Sequence, residues 1–107
     1  YIHIRDVVQA FLHSMDHFES MKNRAYNVGL DDANLSKLEL CREIRRHIPQ
    51  FVFFEAPIGE DPDKRDYIVS NERILSTGFK PDWSLERGIR ELSKCYTIVT
   101  GTGYGNV

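Results

Sequence analysis

The stretch Tyr1-Ile2-His3-Ile4-Arg5-Asp6-Val7-Val8-Gln9-Ala10-Phe11-Leu12 changes its hydrophobic period in the middle. Tyr1 to Ile4 alternates apolar or aromatic with polar character, the period-two pattern of a strand. After Asp6, the residues Val7, Val8, Ala10, Phe11, Leu12 and Met15 recur at the spacing of a helix face. The predicted unit is a short strand feeding a helix. Asp6 is its expected N-cap, because a carboxylate there can accept from the unpaired N–H groups of the first turn.

The same alternation continues downstream. Ala25 to Gly29 reads as a strand closed by a glycine turn, followed by a polar loop from Asp31 to Asn34. Ser36-Lys37-Leu38-Glu39 is a capping box, and Leu38, Leu40, Cys41, Ile44 and Ile48 continue a helix that Pro49 ends. Phe51 to Phe54 and Asp66 to Val69 are β-favouring, and the Pro- and Gly-containing segment Ala56 to Lys64 between them is a predicted loop. Ser70 is placed to cap a short helix from Asn71 to about Thr77, with Gly78 at a left-handed stop. Ser84 opens a last helix whose apolar residues Leu85, Ile89, Leu92 and Tyr96 share one face. The expected fold is a small α/β lobe of three to four helices with short strands, spanning residues 1–99. Residues 100–107 are glycine-rich and expected to form a flexible tail.

A chain of 107 residues has room for one modest core. Hydrophobic residues make up 41% and charged residues 28%, and the net charge of −2 comes from interspersed acids and bases, the pattern of a soluble globular domain. The pI near 6.1 and the absence of a basic stripe speak against a nucleic-acid binder. Apolar runs such as Phe51 to Phe54 fall far short of the roughly 20 residues that a membrane span needs. Cys41 and Cys95 lie in predicted helices outside any Cys-x-x-Cys pattern, so free buried thiols in a reducing cytoplasm are expected. The chain opens mid-pattern without a methionine, and it is expected to be a piece of a longer polypeptide.

Four stretches, taken in order, resemble the distal part of the extended short-chain dehydrogenase/reductases, the NAD-dependent nucleotide-sugar epimerases and dehydratases. Tyr1-Ile2-His3-Ile4-Arg5-Asp6-Val7-Val8-Gln9-Ala10 is similar to the family's Tyr-Ile-His-Val-x-Asp-hydrophobic-x-x-Ala segment. Tyr26-Asn27-Val28-Gly29 with Ser36 and Glu39-Leu40 resembles its Tyr/Phe-Asn-hydrophobic-Gly strand and capped helix. Asp63-Lys64-Arg65-Asp66-Tyr67 looks like the Asp-x-Arg-x-Tyr stretch of the dehydratases. Ser70 to Ile74, Thr77-Gly78-Phe79-Lys80-Pro81 and Ser84-Leu85-Glu86-Arg87-Gly88-Ile89 resemble the elements that close these proteins. The resemblance implies the C-terminal substrate lobe of a Rossmann-type enzyme. NAD or NADP, the Gly-x-x-Gly-x-x-Gly turn and the Tyr-x-x-x-Lys pair would then belong to an N-terminal lobe outside this chain, and no metal is implied. The implied partners are a nucleotide-sugar substrate, that N-terminal Rossmann lobe and a second copy of the full-length protein, paired in this family through helices of the cofactor lobe. Two alternatives stand beside it, a free-standing binding module without catalytic activity and a reductase of the same family acting on other substrates.

Arg65 is the first candidate for substrate binding, because a planar guanidinium suits a diphosphate and the resemblance places its loop beside the nucleotide cleft. An ion pair with Asp63 or Asp66 is its plainer reading. Lys64 is a candidate second cation, against a merely solvated lysine. Tyr1 matches a family tyrosine at the floor of the sugar site, against a packed strand-edge aromatic. His3 shares the predicted strand face of Tyr1, against a hydrogen-bonded structural histidine. His13 and His17 stand at i and i+4 beside Asp16, but without a third ligand they read as a solvated helix face rather than a zinc site. Asn27 reads as a turn residue. Gly101-Thr102-Gly103-Tyr104-Gly105 lacks the strand and helix that a phosphate loop requires. Phe51, Phe53 and Phe54, without a basic stripe, read as packing residues rather than a base-stacking platform.

Overall fold

His3, not Asp6, starts the first helix. In a computed structural model describing residues 1–55 and 68–99, helix α1 spans Ile4–Asp16, and the His3 Nδ1 accepts from the Arg5 N–H at 3.2 Å. A ring nitrogen two residues ahead thus satisfies one of the orphan donors of the first turn, as Ser or Asp side chains more often do. Asp6 sits inside that turn and looks away from it. Its side chain is 1% exposed, and its two carboxylate oxygens accept from the main-chain N–H groups of Asp82 and Trp83, each at 3.0 Å.

Four more helices follow: α2 (Phe18–Met21), α3 (Lys37–His47), α4 (Glu72–Leu75) and α5 (Leu85–Val99), with a 3-10 turn at Asp31–Ala33. None of the described residues is in a strand. The expected α/β lobe with short strands is therefore corrected to a helical one. Tyr1 to Ile4, Ala25 to Gly29 and Phe51 to Phe54 form no ladder, nor do Ile68 and Val69, the described part of the third predicted strand after the first. β-Favouring residues need a neighbouring strand to take their N–H and C=O groups. Here some of those groups meet side chains, and others single main-chain partners outside any ladder. Asn34 brackets Val69, donating to its carbonyl and accepting from its N–H, both at 3.1 Å, and the Asn27 amide donates to the Ser70 carbonyl at 3.2 Å. The Leu30 N–H reaches the Tyr1 carbonyl at 3.1 Å, and the Tyr1 main-chain nitrogen donates to the Ala33 carbonyl at 2.8 Å.

Local end signals behave as their chemistry dictates. The Ser36 Oγ accepts from the Glu39 N–H at 3.3 Å while the Glu39 carboxylate accepts from the Ser36 N–H at 2.8 Å, so the capping box of α3 is complete. α3 ends at His47, two residues before Pro49. Gly78 follows α4 with a φ of +91°, the left-handed conformation expected of it. α4 is shorter than predicted, with Asn71 rather than Ser70 at its N-cap position. The Ser84 Oγ accepts from the Arg87 N–H at 3.2 Å and opens α5.

The core is small. Ala10, Met21, Ile74 and Phe79 are buried together, with Tyr26, Val28 and Leu75 packed against them. Along α5 only Ile89 is buried, and the predicted face continues into exposed Leu92 and Tyr96. α1 buries one side and leaves an apolar stripe exposed on another. Asp6 and Ala10 are buried, while Ile4, Val8, Phe11 and Met15, at successive spacings of four, three and four, form a separate exposed stripe. The thiols are free, but Cys95 is exposed and Cys41 half-buried, which corrects the expectation of two buried cysteines. No helix among the described residues is long and apolar enough to cross a membrane.

Candidate functional site

The Asp6 clamp draws the turn from Gly78 to Trp83 against the start of α1, and an open groove of about 660 Å³ runs beside it. Phe79 and Trp83 supply its aromatic surface, while Arg5, Lys80, Asp16 and Asp82 set a rim of both charges. Such a rim does not select for one sign of ligand. Gln9 and His13 add polar groups along the α1 wall.

At one end of the groove Trp83 is wrapped by three side chains. The His3 ring stacks on it with centroids 4.2 Å apart and planes 14° from parallel, and the guanidinium carbons of Arg87 and Arg5 lie 3.6 and 4.6 Å from its ring centroid. Glu91 on α5 ties the group to α1, accepting from the His3 Nε2 at 2.7 Å and from Arg5 at 2.8 Å. Because the His3 Nδ1 accepts the Arg5 N–H, the ring proton belongs on Nε2, where it is donated to Glu91. Both nitrogens of His3 are thereby engaged. Gly88 completes the fit, since a Cβ there would stand 3.3 Å from the His3 Cδ2.

Tyr1, the other described candidate, is exposed, and its main chain is anchored to Leu30 and Ala33. Tyr1 and His3 are brought to the same end of α1 but meet different neighbours. Arg65 and Lys64 lie outside the described residues, as do the Gly101 to Gly105 run and the predicted tail. His13 and His17 stack at 4.1 Å. The Thr77 hydroxyl donates to the Ile74 carbonyl at 2.6 Å and so accepts from the His13 Nε2 at 2.9 Å, while the His17 Nδ1 donates to the His13 carbonyl at 2.9 Å. Among the described residues no group of three or more His, Cys, Asp or Glu side chains is arranged to hold a metal ion.

Reading the chain in one dimension missed Trp83, Arg87 and Glu91. The Ser-Leu-Glu-x-Gly helix was legible, but nothing in it announces that His3, 88 positions before Glu91, would be its partner. Asn71 was missed as well. It is 2% exposed, donates to the Asp31 carboxylate at 2.8 Å, and leaves its Oδ1 without a partner beside Gly29. No family model matches the chain.

Proposed function

We propose that this chain is the substrate lobe of an NAD(P)-dependent nucleotide-sugar epimerase or dehydratase of the extended short-chain dehydrogenase/reductase type, working in the cytoplasm. The observation that supports it best is the contact map of the resembling stretches. Within the segment from Tyr1 to Ala10, His3 packs against Gly88 of the Ser84 to Ile89 stretch, and Asp6 holds the Asp82–Trp83 link that joins the two closing stretches. Tyr26 to Gly29 meets Ser70 and Asn71 through the Asn27 amide and the close approach of Gly29. Three of the four resembling stretches lie among the described residues, and they are brought together although they are far apart in sequence.

In this reading the lobe binds and orients while the chemistry proceeds elsewhere. Arg65 holds the diphosphate with its fork of donors, Lys64 adds a mobile charge, and Tyr1 and His3 border the sugar. Remote contacts of this kind convert binding energy into orientation of the reacting ring. When bound to the other lobe, the nicotinamide would take and return the hydride of the sugar. The residues of this chain are left to bind and orient the nucleotide sugar. The uncovered apolar stripe of α1 and the exposed end of α5 are surfaces that a cofactor lobe of the same polypeptide would cover.

Ligand-observed NMR with UDP-, GDP- and dTDP-sugars tests the reading, using this chain and its Arg65→Ala variant. Binding that disappears in the variant is expected. Binding by neither, repeated with the full-length polypeptide, would overturn the assignment.

A further inference from the structure

We draw no further inference here: the strongest candidate, the exposed apolar stripe of Ile4, Val8, Phe11 and Met15 along α1, already serves the lobe contact proposed above, and nothing in the structure shows what else covers it.

Discussion

The Asp6 carboxylate accepts from the main-chain N–H of Trp83 at 3.0 Å across 77 residues of sequence, and its second oxygen takes the N–H of Asp82. This buried clamp joins the first turn of α1 to the turn that leads into α5. Asp6→Ala strands two donors away from water, at about 1–3 kcal/mol for each one left unsatisfied. Asp6→Asn keeps an oxygen for one of them and is expected to fall between the variant and the parent. Urea unfolding followed by circular dichroism checks the order; equal stability of all three would show that the clamp contributes nothing.

His3 caps α1, stacks on Trp83 and donates to Glu91. His3→Ala is expected to lower stability by about 1–2 kcal/mol, the range of a lost cap with some packing. In the longer enzyme proposed above, a purely structural His3 would leave the KM of this variant for a nucleotide sugar within twofold of the parent's. A KM raised tenfold at unchanged stability would return His3 to the substrate.

In the longer enzyme proposed above, Arg65→Ala is expected to raise KM for the nucleotide sugar by roughly 10- to 100-fold, the equivalent of a charge-assisted hydrogen bond or two, with kcat little changed. Steady-state kinetics separates the two parameters. An unchanged KM would mean that the guanidinium faces a structural carboxylate or solvent.

Two glycines should fail for different reasons. Gly29→Ala places a Cβ 3.1 Å from the Asn71 Oδ1 and 3.3 Å from its Nδ2, on a side chain held by Asp31, and overpacking of that kind costs about 1–3 kcal/mol. Gly78→Ala has open space around it, yet its φ of +91° disfavours any L side chain by about 1–2 kcal/mol. Pairing Gly29→Ala with Asn71→Ala should relieve part of the first cost and none of the second. Thermal unfolding of the single and double variants reads both.

Hydrogen bonds from the Ser36 main chain, then from its side chain, hold the Glu39 carboxyl below its ordinary value of 4.5, with a smaller contribution from Arg42. A carboxyl that binds its proton less readily when folded stabilises the fold above the unfolded pKa and loses that contribution as pH falls through the folded one. The helicity of α3 should therefore weaken in the window below pH 4.5, and Glu39→Gln should flatten that part of the curve. An acid titration that is identical for the two proteins would contradict the capping box as its source.

The amino-acid sequence by itself determined both ends of α3, the stop after α4 and the start of α5, but not the starts of α1 and α4. Ser36 with Glu39, Gly78, Ser84 and Pro49 act on main-chain groups three or four residues away, so their chemistry is complete within a single turn. Periodicity likewise located α1, α3 and α5. Tertiary structure alone decided that the β-favouring stretches make no sheet among the described residues, because a ladder depends on a neighbour that local sequence does not name. It also decided that most of the apolar face of α1 stays exposed, since periodicity reveals an apolar face and not what it meets. The contacts of Asp6 and His3 were decided in the same way, by Trp83 and Glu91 arriving from more than 70 positions along the chain.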